Sequence, residues 1–443
     1  MLSDSTAADG PQGRNKMGLV MATALVTVNM IGTGIFLLPV SMASVGSISI
    51  LGWLVAVIGA GAIGLMFAFL GATDPQPGGP YAYARRTFGP YLGFQTNYAY
   101  WIANLVGNIA VATTVTSYAT TFVPALKEQW LGAAATIAIV WGATFCNILG
   151  PRFTGLFTSA TTFTALIPLA AVAALGWIWF DPNVFRAGWN PGSISTYDAV
   201  SQSATFALWA FIGIESASVA AGVIDNPKRN VPLATMLGLA IAAVLYVSTC
   251  VVLMGIIPTD ELAKTDAPFT VAAQRTAGST AALVIGIAAL LKASGSLVGW
   301  TLTIAQSAEA AARDGIFPRI YGVRDRRGIP VWNFLVSATL MSIIVLLTAS
   351  PSLTEQFTRI IDTAIILTLL PYLYSGVTFL MSCQSRDLPR AKLVTAWTVT
   401  LVAMSYCLFA VAGSKPLLTR DAMILLFLSV PFYLLFLKRP QKD

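Results

Sequence analysis

A succession of long, uninterrupted apolar runs constrains this chain most. They lie at about 17–43, 45–71, 89–123, 128–148, 153–180, 197–223, 233–257, 278–308, 331–349, 355–382, 391–412 and 418–437. Each holds ~20 or more residues, the length of a helix that crosses the hydrocarbon core of a bilayer. There, every backbone N–H and C=O must find a partner within the protein, which leaves helices or closed barrels. Barrel strands alternate polar and apolar residues, and these runs do not. The expected fold class is an all-α membrane protein of about twelve transmembrane helices. Of the 443 residues 56% are hydrophobic and only 10% charged, where a soluble domain carries roughly 25% charged residues. A soluble enzyme, a disordered chain and a nucleic-acid-binding module are excluded.

The net charge of +7 is therefore a topology signal. An even number of spans puts both termini on one side of the membrane. Of the 26 Lys and Arg, eighteen fall on that side, six on the other and two, Lys292 and Arg359, within spans. Cytoplasmic loops are the Lys/Arg-rich ones, so both termini are expected in the cytoplasm. The excess positive charge then meets anionic headgroups of the lipid bilayer, with no nucleic acid as partner. Residues 1–16 read as a disordered cytoplasmic tail and 438–443 as a second tail. The first run is too long for a signal-peptide core and no A-x-A site follows it, so it is a retained span.

There is no histidine, which removes histidine-centred metal sites, Ser-His-Asp hydrolysis and histidine pH switching. Cys146, Cys250, Cys383 and Cys407 are far apart and show no CxxC or zinc spacing, so they read as core residues. No metal and no cofactor is expected. A membrane-embedded enzyme would need paired carboxylates or a nucleophile–base set, and the few charges are scattered over separate spans, so the chain is not read as an enzyme. No ring-forming selectivity motif of a channel is present.

Transporters often bind substrate where two helices unwind at matching positions of an inverted repeat. The first span carries Gly32-Thr33-Gly34 near its middle, and the sixth carries Phe211-Ile212-Gly213-Ile214-Glu215. With residues 17–180 as the first five-helix repeat and 197–382 as the second, these positions correspond, and 391–437 supplies two peripheral helices. The glycines alone also suit a tight helix crossing. Unwinding would free amides at a half-helix N-terminus, around Thr33 and Gly34, for a carboxylate. Free carbonyls of the other half could take an ammonium group, and together they would clamp an α-amino acid.

Glu215 is the most informative side chain, because a carboxylate within a span is costly and marks a site for a cation or proton, or a structural partner for a neighbouring helix. Trp209 lies six residues earlier, and a break between the two could bring both to one cavity. Its indole could form a cation–π contact with an ammonium or guanidinium, or pack at the lipid interface. Lys292, inside the eighth span, reads as a built-in cation or proton-responsive group, or else as one half of a structural salt bridge or a snorkelling head. Arg359 and Asp362, three residues apart, could pair, or Asp362 could meet a cationic substrate. Trp300 could line the cavity or pack.

The segments Asn29–Ile35, Gly78–Ala84, Trp209–Ala217 and Asn226–Pro232 resemble the amino acid–polyamine–organocation superfamily, in particular its bacterial basic amino acid/polyamine antiporters. The resemblance runs from about residue 16 to 437. Different stretches resemble its arginine/agmatine, ornithine/putrescine and lysine/cadaverine exchangers. It implies two inverted five-helix repeats and a homodimer in the bacterial inner membrane. It implies a substrate carboxylate at the first break, with Ile31, Thr33 and Gly34. The substrate side chain would lie against Trp209, Ile212 and Gly213, with contacts from Ala103, Asn104, Asn108 and Trp300. It gives Glu215, Tyr100 and Tyr372 to gating and Tyr81 to a pH response at the cytoplasmic side. Lys292, Arg359 and Asp362 depart from the family's pattern. The function expected is exchange of an external basic amino acid for its internal decarboxylated amine, a cycle that resists acid; the alternative is proton-coupled symport of an amino acid or polyamine.

Overall fold

A computed structural model describes residues 17–32, 34–74, 79–350, 352–386 and 388–436. The expected tails at 1–16 and 438–443, and Thr33, lie outside the described residues. The described chain is helical, and its one β contact is an isolated bridge between Met17 and Ile224.

The order begins with α1 (Leu19–Met30), α2 (Gly34–Val45), α3 (Ser49–Thr73), the short α4 (Pro80–Phe88) and α5 (Pro90–Ala119). Next come α6 (Gln129–Ile148), α7 (Pro151–Leu175), α8 (Pro182–Ala187), α9 (Thr196–Phe211) and the one-turn α10 (Ser216–Val219). Then follow α11 (Pro227–Ile256), the one-turn α12 (Thr259–Leu262) and α13 (Pro268–Arg313), which is kinked at Gly278. The last are α14 (Val331–Thr348), α15 (Leu353–Gln384), α16 (Arg390–Gly413), α17 (Pro416–Phe427) and α18 (Ser429–Phe436).

Among the described residues, nine spans are long and apolar enough to cross a membrane, and α1 with α2, bent by 47°, makes a tenth. The other two of the twelve expected runs became α5 and the α9–α10 pair. α5 is 30 residues long but too polar, with Gln95, Asn97, Asn104, Asn108 and several threonines. α9 stops after 16 residues because the chain leaves the helix at Ile212. Both contribute residues to the site.

Helices in a bilayer gain little from apolar contact with each other, because lipid is equally apolar; small residues and polar links hold them together. α3 approaches α9 and α16 through Gly52 and Gly59, where an added Cβ would meet Ser203 and Tyr406 at 2.0–2.1 Å. Thr205 donates to the Ala410 carbonyl at 2.7 Å and Asn147 to the Val298 carbonyl at 3.0 Å, links worth roughly 0.6–2 kcal/mol each in membranes. α15 is 67% buried, whereas the α17–α18 stretch is only 17% buried and presents Phe427, Leu434 and Leu435 outward. α5 packs against α13 and α15, α1 and α3 against α11, and α3 against α9. The site lies among them.

Candidate functional site

Both expected breaks are present, and they touch. α1 ends with Ile31 out of helical geometry, at φ −78° and ψ 64°. A broken helix leaves carbonyls that need donors. Tyr246 of α11 meets one of them, its hydroxyl donating to the Met30 carbonyl at 3.0 Å. In the other break Ile212 is extended and Gly213 sits at φ +103°, a conformation that favours glycine. A Cβ on Gly213 would also stand 3.2 Å from the Asn29 carbonyl. The Asn29 side-chain amide donates to the Ser216 hydroxyl at 2.8 Å, and that hydroxyl donates to the Gly213 carbonyl at 2.6 Å. Asn29 therefore ties one break to the other.

Beside this junction is a first chamber. Its walls are Asn29, Met30, Gly32 and Gly34 at the first break; Ala103, Asn104, Gly107, Asn108 and Val111 on α5; and Trp209, Ile212, Tyr246, Trp300 and Thr368. None of these is a carboxylate, Lys or Arg. The Trp209 indole is held between Gly34 and Gly107: a Cβ on Gly34 would lie 2.7 Å from one edge of the ring, and a Cβ on Gly107 2.9 Å from the other. Trp209 is half-buried, with the remainder open to the chamber.

A second chamber shares Asn29 and Trp300 with the first. It holds the charges. Glu215 is 2% exposed and accepts hydrogen bonds from Tyr372 at 2.8 Å, from the Gly213 N–H at 3.2 Å and from Tyr100 at 3.4 Å. Lys292, also 2% exposed, donates to Ser296 at 2.8 Å. Among the described residues no carboxylate lies within 4.0 Å of it. The salt bridge and the snorkelling head considered for Lys292 are thus both absent here.

A third chamber shares Tyr100, Val219, Thr303 and Gln306 with the second and reaches Tyr81 on α4. There Tyr81 donates to the Asp314 carboxylate, and Arg85 bridges to Asp314 at 2.7 Å and to the Tyr81 oxygen at 3.0 Å. Partial burial, and then the Asp314 carboxylate, push the Tyr81 hydroxyl well above its ordinary range, so it stays protonated at physiological pH.

Several sequence-based expectations need correction. The break between Trp209 and Glu215 does not bring both to one cavity: Trp209 lines the first chamber, while three donors hold Glu215 in the second. Arg359 pairs with Glu355 at 2.7 Å across one helical turn and not with Asp362. Asp362 is buried, outside all three chambers, with one carboxylate oxygen unpartnered. Ile31 and Gly213 form the junction without lining a chamber, and Tyr372 acts from behind Glu215. Gly34, Ala103, Asn104, Asn108, Ile212 and Trp300 line the first chamber; Tyr100 lines the second and third. Sequence reasoning missed Tyr246, Thr368, Thr162 and Ser296, and gave Asn29 no role. A signal for part of this was present: Lys292, Ser296, Gly299, Thr303 and Gln306 recur at helical spacing on one face of α13.

Residues 17–430 match the amino acid permease family model. The chain belongs to this family, within the amino acid–polyamine–organocation superfamily. It is 39% identical over 367 residues to the cadaverine/lysine antiporter of Escherichia coli strain K12, covering 82% of each chain. It is 35% identical over 419 residues to the putrescine transporter PotE of the same strain, covering 95% of each. It is 34% identical over 406 residues to the putrescine transporter PotE of Haemophilus influenzae, covering 91% of this chain and 93% of that one. A multi-pass membrane transport protein, not an enzyme, is what this membership and the apolar helices describe together.

Proposed function

We propose that the chain exchanges an external basic amino acid for its internal decarboxylated amine across a bacterial inner membrane. The observation that carries this reading is the pairing of a charge-free aromatic chamber, at the meeting of two helix breaks, with one buried carboxylate just behind it. The names of the relatives, a cadaverine/lysine antiporter and a putrescine transporter, support the substrate class.

In this reading the N-terminal amides of α2, beginning at Gly34, take the substrate carboxylate, because the positive end of the helix dipole points there. The side chain crosses Trp209, whose ring face attracts a cation. Glu215 serves the distal cation. Its three present donors belong to the α9–α10 break, α5 and α15, so an arriving ammonium that takes over the carboxylate loosens contacts among three elements at once. An amine has no carboxylate and binds without the α2 contact. Alternating access follows from rocking of a helix bundle against the remaining scaffold, with 17–180 and 197–382 as the two inverted repeats, 391–437 peripheral and both termini cytoplasmic. The three linked chambers lead toward Tyr81, while buried Phe36, Tyr118 and Phe269 pack edge-to-face beyond Gly34. In this reading the conformation is one that faces the cytoplasm, the side assigned to Tyr81. A homodimer is the proposed assembly.

Proton-coupled symport is the second reading, favoured by the buried Lys292 ammonium without a carboxylate partner. Proteoliposomes separate the two. Vesicles are loaded with putrescine, agmatine, cadaverine or buffer, and uptake of labelled ornithine, arginine and lysine is followed with and without a proton gradient. Exchange requires uptake that depends on one internal amine and needs no proton gradient. Accumulation in buffer-loaded vesicles only under an inward proton gradient would replace it with symport.

A further inference from the structure

We infer that the second chamber is a vestibule for a dipolar ion, in which Lys292 takes the carboxylate of an amino acid while Glu215 takes its ammonium. Lys292 thereby becomes a specificity-determining residue that favours the amino acid over its decarboxylated amine. The inference rests on the exchange reading for the substrate class alone.

The argument starts from unmet charge. A buried ammonium is costly unless an anion pairs with it. Lys292 has one neutral partner, Ser296, and no carboxylate within 4.0 Å among the described residues. Glu215 lies on the wall of the same chamber, but its oxygens are occupied by Tyr372, Tyr100 and the Gly213 N–H. Among the described residues none within 4.0 Å therefore supplies a counter-ion to Lys292, while the chamber supplies room for one. Thr162, on the same wall, is buried with its hydroxyl unpartnered. A substrate carboxylate would meet both needs: the Lys292 ammonium donates to one oxygen and the Thr162 hydroxyl to the other. The same molecule's ammonium would face Glu215. A diamine brings no anion and adds a second cation to a site that already holds one, so Lys292 repels what it cannot pair.

The position gives the vestibule its use. It lies between the aromatic chamber and the chamber at Tyr81, sharing residues with each. A molecule moving between the first chamber and that face passes Lys292. The α2 amides and Lys292 thus read the carboxylate at two points of one path.

The test measures binding to the solubilised full-length protein by competition. Probes are lysine, ornithine and arginine, their amines cadaverine, putrescine and agmatine, and the amino acid carboxamides, which keep the α-amine and lose the anion. In Lys292→Met the ratio of amino acid to amine affinity should narrow by about tenfold or more, the loss of one charge-assisted hydrogen bond. The gap between amino acid and carboxamide should narrow with it. Lys292→Arg, which keeps the charge, should hold most of the preference. Should Lys292→Met not fold, Thr162→Val reads the same site and should narrow the ratio by a few-fold. Unchanged ratios in the folded Lys292 or Thr162 variants, with the wild type binding both classes, would overturn this inference and leave exchange standing. A wild type that binds none of the amino acids or amines would overturn both.

Discussion

The two inner chambers share Asn29 and Trp300 and are otherwise opposites. The first has glycine, amide and aromatic walls and no charged side chain; the second contains Glu215 and Lys292, each 2% exposed. The difference is physical economy. A long, flexible cation is gripped along its length by an indole face and by shape, which costs no buried charge in the empty state. Charge is confined to the side of the broken helix, where backbone N–H groups and tyrosines already satisfy a carboxylate. Recognition of the substrate's body and response to its charge are thereby placed on different residues, joined through the Asn29–Ser216–Gly213 link.

Substitutions can break that division. The largest effect is expected for Glu215→Ala. Exchange in proteoliposomes should fall by about 100-fold or more, as when one partner of a buried charged contact is removed. The variant should still purify as a folded species: the unpaired Tyr372 and Tyr100 hydroxyls and Gly213 N–H each cost roughly 1–3 kcal/mol, offset in part because a costly buried carboxylate leaves with them. Full exchange in this variant would remove Glu215 from the mechanism.

Gly34→Ala comes next and attacks the neutral chamber. The new Cβ would lie 2.7 Å from the Trp209 ring and displace it. Amino acid and amine binding should weaken together by about tenfold, the scale of a cation–π contact. The same change in a Trp209→Ala background should add little, and a double-mutant cycle of binding constants reads this non-additivity. If Gly34→Ala weakened the amino acid alone, the α2 amides and not the indole would carry the effect.

The smallest effect is expected outside both chambers. Asp325, on the exposed turn before α14, accepts from the Ile329 N–H at 2.8 Å and pairs with Arg327 at 3.0 Å. The Ile329 N–H first, and Arg327 with it, hold its carboxyl below the usual carboxylate range. A carboxyl lowered on folding adds stability above its unfolded value, near ~3.9, and loses it as pH falls through the lowered value. The difference in thermal stability between wild type and Asp325→Ala should be complete at neutral pH and shrink below about pH 4. Substrate affinity should not change.

The fold was legible because the apolar runs are long and periodicity within them is secondary. Where the count fell short, at α5 and α9, the chain trades apolar length for the polar side chains and the break that form the site. Glycines at 32, 34 and 213 marked the breaks in sequence. What the chain order hid was the pairing across them: Asn29 with Ser216, Tyr246 with the Met30 carbonyl, Tyr372 with Glu215. Those partners are 157 to 216 residues apart, and no local pattern specifies them. Arg359 shows the same limit locally, since i,i+3 and i,i+4 partners were both on offer and helix geometry favoured Glu355.

The central claim is the division between body and charge, and an experimental structure with a bound amine tests it most directly. The account predicts the amine chain in the first chamber, one ammonium within about 6 Å of the Trp209 ring centroid, and the other directed to Glu215. An amine lying clear of Trp209 and Glu215 would contradict it.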